Sequence, residues 1–179
     1  MIRMKKLECT DQTKINAFLH DTETGFLGLS GDNMPYVVPL NFVWHDGNIY
    51  FHGASEGKKM EILKDNVNVC FTVCASYGTM TDPVPAKTDT AYMSVMIFGK
   101  AEPLSDISKA TAVMQKMLEK YVPNYYDQPL SETHVERYRS SLGSKTSIVE
   151  IKTEHLTAKE NELVEEKRFY QGRTVKTDS

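Results

Sequence analysis

The run P-Y-V-V-P-L-N-F-V-W-H-D-G-N-I-Y-F-H-G-A-S-E-G-K-K-M-E-I-L-K-D-N-V-N-V-C-F-T-V-C, Pro35 to Cys74, decides the fold. Two apolar segments flank Asp46-Gly47, a dipeptide that favours the positive φ angles of a two-residue hairpin loop. Strands are expected near 36–44 and 48–53. With Asp46 and Gly47 as the loop, His45 pairs with Asn48, Trp44 with Ile49, Phe42 with Phe51 and Asn41 with His52. Side chains alternate along a strand. Leu40, Phe42, Trp44, Ile49 and Phe51 then share a core face, and Asn41, Val43, Tyr50 and His52 share the other. The returning strand enters a small polar elbow, Gly53 to Gly57, and a helix near 57–65 opens on Lys58 and Lys59. Lysine is unfavourable at a helix N-terminus, where the macrodipole is already positive. Two in succession there point to a bound anion. Ser55 is placed to cap the helix or donate to the same anion, and Gly53 and Gly57 allow a close backbone approach. The elbow reads as a phosphate cradle.

Working outward, Thr10 or Asp11 caps an expected helix over 11–20, a strand follows at 24–30, and Gly31-Asp32-Asn33 carries turn chemistry. On the C-terminal side a strand is expected near 67–75, a loop over 76–90 and a long strand near 91–102. Ile107, Ala110, Val113, Met114, Met117, Leu118 and Tyr121 recur at helical spacing, so 105–121 reads as an amphipathic helix with a core-packing stripe. A helix over 131–141 and a strand over 145–156 close a domain of residues 1–159. Residues 160–179 read as a polar C-terminal extension, a solvated tail or an arm. Strands joined by hairpins, with few βαβ units, indicate an antiparallel barrel with peripheral helices.

The chain has 179 residues, enough for one domain with a real core. Its net charge of −3 gives no electrostatic case for nucleic acid or an anionic membrane. No apolar run approaches bilayer length, and Met1 to Asp11 lacks the apolar block of a signal peptide. A cytoplasmic location is expected. Cys9, Cys70 and Cys74 are too sparse for a disulfide framework. Cys70 and Cys74 share one face of a strand and read as small buried hydrophobes. The five histidines show no metal-ligand spacing, so no metal site is expected.

The pattern Y-F-H-G-A-x-x-G-K-K-x-x-x-L-x-x-N, Tyr50 to Asn66, resembles the pyridoxamine 5'-phosphate oxidase-like, FMN-binding split-barrel superfamily. Gly25 to Leu29 (G-F-L-G-L), Pro35 to Phe42 and Tyr92 to Glu102 (Y-M-S-V-M-I-F-G-K-A-E) match as well. Within the superfamily the chain is most similar to flavin-nucleotide-binding proteins related to nitroimidazole-resistance nitroreductases. The resemblance spans about residues 5 to 160. It implies a six-stranded antiparallel split barrel and a homodimer with FMN in a groove at the interface; FAD or haem are the alternative cofactors. It implies that Lys58 and Lys59, helped by Ser55, meet the phosphate. Pro39, Leu40, Asn41 and Phe42 run along the isoalloxazine ring, His52 and Gly53 line the flavin near its phosphate end, and Ser94 belongs to the same site. The implied activity is NAD(P)H-dependent reduction of a small acceptor such as a nitroaromatic. The alternatives are a non-enzymatic flavin-binding or sensing protein and a haem-binding relative. The chain departs from the oxidase proper, which has arginine at the position of Lys58 and a C-terminal Trp. Residues 145–179 hold no Trp, and Arg168 and Arg173 sit in no matching pattern. Tyr77, Tyr92 and His52 are the acid–base candidates; none has a catalytic role fixed by its surroundings in the sequence.

Overall fold

The computed structural model describes residues 4–31, 34–139 and 143–178. Asp32 and Asn33 of the expected turn, and residues 140–141 of the expected helix, lie outside the described residues. In chain order the elements are α1 (Gln12–Asp21), β1 (Thr24–Gly31), β2 (Met34–Asn41), β3 (Val43–His45), β4 (Asn48–Ala54), α2 (Lys58–Asp65), β5 (Asn68–Met80), β6 (Asp89–Pro103), α3 (Ile107–Tyr121), α4 (Glu132–Arg137) and β7 (Thr146–Asn161). The helix starts follow local chemistry. The Asp11 carboxylate accepts from the N–H groups of Thr13 and Lys14, and Asp106 does the same for Ser108 and Lys109, satisfying donors that a helix start leaves over.

All strands join one sheet in the order β2-β1-β5-β6-β7-β4-β3, every pair antiparallel. Its end strands are consecutive in sequence and meet at Phe42, so the sheet curls round into a split barrel. Seven strands form it rather than six, because the expected strand over 36–44 is divided. Residues 34–41 pair with β1, and only Val43 to His45 pair with β4. Trp44↔Ile49 and His45↔Asn48 hold as read from the sequence. Asn41, however, faces Thr24 rather than His52, and Phe42 has no ladder partner in the hairpin. The physical reason is the Tyr121 hydroxyl at the end of α3. It accepts from the Phe42 N–H (2.7 Å) and directs its own proton toward the carbonyls of Glu23 (2.6 Å) and Phe42 (2.9 Å). The hairpin loop is as expected: Asp46 and Gly47 both have positive φ, 48° and 74°, as a type I′ turn requires.

The inner face carries the main core. Leu27, Phe42, Ile49, Phe51, Phe71, Val95 and Ile151 are fully buried, with Ile15, Phe18 and Leu19 of α1 and Ile62 and Leu63 of α2 packed against them. A second cluster lies on the outer face of β3, β4 and β7. There Val43, Tyr50 and Ile148 meet Ala110, Val113, Met114 and Met117 of α3 and Val135 of α4. Burying each large side chain of α3 contributes about 1.5–3 kcal/mol, which is what holds this helix on the barrel. The buried Glu150 adds a polar tie, accepting from Tyr50 Oη (2.7 Å) and Lys109 Nζ (2.8 Å). Burial alone would push this carboxyl up; the hydrogen bonds from Lys109 and Tyr50 outweigh it and hold the group below its usual range.

Other expectations change in detail. β5 extends to Met80 past a bulge at Ser76/Gly78, so the connection to β6 is 81–88 rather than 76–90. α4 is a short helix ending at Arg137, and β7 runs on to Asn161. Cys70 and Cys74 do share a face, but it is the outer one: Cys70 is half-buried and Cys74 exposed, while Val69, Phe71 and Val73 take the interior. The polar tail returns to the barrel. Met80 bridges to Arg168, the Thr81 N–H donates to the Lys167 carbonyl and the Phe169 N–H to that of Thr79. No helix among the described residues is long and apolar enough to cross a membrane.

Candidate functional site

β4 carries the chain out of the barrel through Gly53 and Ala54, and the Ser55 N–H donates to the Lys145 carbonyl (2.9 Å). Gly57 turns the backbone with φ of +97°, a value that disfavours any side chain, and its carbonyl accepts from Met60 and Glu61 to start α2. That start has no side-chain cap, and its first two residues are Lys58 and Lys59.

The two lysines go to different places. Lys59 folds back over the end of β4. Its ammonium stands 5.0 Å above the Phe51 ring and would lie only 2.8 Å from a Cβ at Gly53. No carboxylate pairs with it among the described residues, and burial pushes its pKa down. The missing Gly53 side chain is what lets the ammonium lie there. His52 points to the opposite face of β4. Its outer edge reaches solvent, while Nδ1 is covered by Met117 Sδ at 3.3 Å. Burial first, then the charge of Lys59, push the imidazole below its ordinary pKa, so it is neutral near pH 7. Lys58 is exposed and borders a hollow with Ser30, Glu61 and Asp65. Ser55 faces another, beside Leu104 and Lys145. Of the expected phosphate-end residues, the fold therefore brings Lys59 to Gly53, turns the His52 side chain to the other face of β4 against Met117, and sets Lys58 and Ser55 at separate hollows.

The expected ring-side residues divide by strand alternation. Leu40 packs inward, and Phe42 is wholly buried edge-on to Phe71 at 5.1 Å, with both its peptide groups engaged by Tyr121. Pro39 and Asn41 face outward on β2. The registers align Pro39 with Phe26, Thr72 and Met96, and Val37 with Gly28, Cys70 and Phe98 across β1, β5 and β6. Ser94 stands on this same outer face beside Cys74. Phe26, Val37, Met96 and Phe98 are 40%, 62%, 39% and 41% exposed, an apolar surface that no helix among the described residues covers. Sequence reading missed this surface, although Val95 to Phe98 (V-M-I-F) is apolar without alternation, the signature of a strand buried on both faces. It also missed Lys120, and it read Tyr121 only as part of the packing stripe of α3, although both pin the seam at Phe42. Tyr77 and Tyr92 lie near the far end of β5 and β6, away from the Lys59 corner in sheet order. Burial raises the Tyr77 pKa, and nearby Glu160 adds to the rise. No cluster of three metal-ligating side chains occurs among the described residues.

Comparison with known proteins places this geometry. A search of curated proteins returns no significant match. Among solved structures, the flavocytochrome Anf3 from Azotobacter vinelandii superposes with a TM-score of 0.75 at 21% identity, over 93% of this chain and 77% of that one. The FAD and heme binding protein from Mycobacterium smegmatis gives 0.70 at 16% identity, over 87% and 74%. A candidate 5-nitroimidazole antibiotic resistance protein from Bacteroides thetaiotaomicron gives 0.65 at 23% identity, over 86% of each chain. At these identities the likeness is one of fold. The family model for pyridoxamine 5'-phosphate oxidase matches residues 11–160, almost the whole barrel, and the chain belongs to that family.

Proposed function

We propose that the protein is a flavin-dependent oxidoreductase that holds FMN by its phosphate at the Lys59 corner and uses NAD(P)H to reduce a small acceptor such as a nitroaromatic. The observation that carries the reading is the half-buried Lys59 ammonium, which lacks a carboxylate partner among the described residues and lies over the bare backbone of Gly53. A phosphate there gains a charge-assisted hydrogen bond and supplies the anion that the uncapped start of α2 favours. His52, neutral at pH 7, lies on the other face of the same strand and adds no repulsion to Lys59. Pro39 and Asn41, on the open sheet face, offer a flat apolar strand edge for a ring system. Family membership and the flavocytochrome and the FAD and heme binding protein among its structural neighbours support a flavin cofactor. A bound flavin supplies hydride and one-electron chemistry; the chain's own residues bind, orient and desolvate it. The corner and the open sheet face lie on different strands of one chain, so a homodimer that sets one protomer's face against its partner's corner would complete the site.

The test is FMN titration of the purified protein followed by flavin fluorescence. Lys59→Ala should weaken FMN binding by roughly 10- to 100-fold, the worth of one charge-assisted bond of about 1.5–3 kcal/mol. Unchanged affinity in that variant would overturn the assignment. Steady oxidation of NADPH with a nitroaromatic acceptor separates an enzyme from a flavin-binding or sensing protein, which would be reduced once and stop. The His52–Met117 contact also makes a haem reading testable: a Soret band on haem addition, lost in His52→Ala, would replace FMN as the cofactor.

A further inference from the structure

We propose that the hollow between the C-terminal half of α3, the segment 122–131 and α4 is a second binding site, shaped for a flat aromatic acid bearing one carboxylate. The hollow has a volume of about 700 Å³. That is twice the volume of the hollow beside Lys58, about 350 Å³, and within the range of small-molecule sites. Its floor is apolar. Leu118 and Leu130 lie there, and Leu130 is fixed by its N–H donating to Gln115 Oε1 (2.9 Å). Its walls are phenol rings, Tyr126 and Tyr138. Tyr126 is braced edge-on by Tyr125 at 4.9 Å between centroids. Such walls favour a flat ring by stacking and edge contacts.

The rim supplies charge. Arg137 borders the hollow and has no carboxylate or carbonyl partner among the described residues. Arg139 donates from Nη1 to the carbonyls of Glu136 (3.1 Å) and Tyr138 (2.9 Å), which fixes its guanidinium at the same rim. One carboxylate, Asp127, opposes the two cations. With His134, which also lines the hollow, counted as neutral, the balance left over is a single positive charge, which matches a monoanion, and a guanidinium presents a planar fork suited to a carboxylate. The hollow shares no lining residue with the Lys59 corner, so this inference stands apart from the flavin reading.

Calorimetric titration of the full-length protein with 2-naphthoate, and with uncharged 2-naphthol as comparator, tests it. The acid should bind saturably and at least about tenfold tighter than the alcohol, the least that one charged hydrogen bond provides. Arg137→Gln should remove that advantage and leave 2-naphthol binding unchanged, while Tyr126→Ala should weaken both. No saturable binding, equal affinity for acid and alcohol, or an acid affinity untouched by Arg137→Gln would overturn the site. So would loss of acid binding in Lys59→Ala but not in Arg137→Gln, since that would put the acid in the other corner. FMN titration of Arg137→Gln, run alongside, should match the unsubstituted protein. Failure of FMN to bind either one, with naphthoate binding intact, would sink the flavin assignment alone.

Discussion

Lysine 120 shows how one residue's environment sets a measurable quantity. Its ammonium donates to the carbonyls of Leu19 (3.2 Å) and Thr22 (2.7 Å), both at the end of α1, and stands 4.0 Å over the Phe42 ring. Burial pushes its pKa down to about 8. The folded pKa is thus below the unfolded value of about 10.5, so the cost of burying the charge is fully present below pH 8 and is relieved as pH rises toward 10.5. Between those limits the unfolded chain binds the extra proton, and folding stability rises with pH. Urea unfolding of the natural protein and of Lys120→Met at pH 7, 8.5 and 10 should show the difference between them shifting in favour of lysine by about 2–3 kcal/mol. A constant difference would mean that the amine is solvated. Lys59 and Lys120 also mark what a sequence discloses. Lys59 stands out in the sequence because lysine at a helix start is locally unfavourable, a conflict that an anion would relieve. Lys120 falls on the polar side of an ordinary amphipathic stripe, and only the docking of α3 against the end of α1 gives it a role.

At the scale of elements, local signals fixed the hairpin and the helices, and non-local contacts fixed the rest. Asp46-Gly47 set a register that holds through Trp44 and Ile49, because two-residue turns permit little else. The break at Phe42 was illegible, since the hydroxyl that takes its peptide groups is 79 residues away in the chain. The extra length of β5 is likewise a pairing effect, set by β6 beyond the bulge at Gly78. The other bulge, between Phe98 and Gly99, carries a stability prediction. A Cβ at Gly99 would run into the backbone carbonyl of Lys152 on β7, and backbone in the middle of two long paired strands cannot step aside as a side chain can. Gly99→Ala should destabilise the barrel by about 1–3 kcal/mol, as overpacking does, and lower the thermal midpoint. A midpoint equal to that of the unsubstituted protein would show that β6 and β7 separate locally at little cost.

At the scale of the whole molecule, the outer face of β2, β1, β5 and β6 is the unfinished part. The other half of the barrel's exterior is closed by α3 and α4 through a dedicated apolar cluster. This half leaves Phe26, Val37, Met96 and Phe98 in contact with water, in aligned rows that include Pro39. A soluble monomer seldom keeps so continuous an apolar sheet face. A second copy of the chain is the occupant that we propose for it, since a homodimer would set this face of one protomer against the Lys59 corner of its partner. Such an interface should depend on the aromatic residues at its centre. Phe26→Glu combined with Phe98→Glu places two carboxylates there without touching the inner core, since both side chains point away from it. The doubly substituted protein should keep its circular dichroism and melt cooperatively, yet sediment as a monomer at concentrations where the unsubstituted protein is a dimer. If FMN is held between protomers, its affinity should fall by about tenfold or more with the loss of a whole wall of the site. A natural protein that sediments as a monomer while retaining FMN would mean that the cofactor needs only one chain, and the apolar face would then need a different partner.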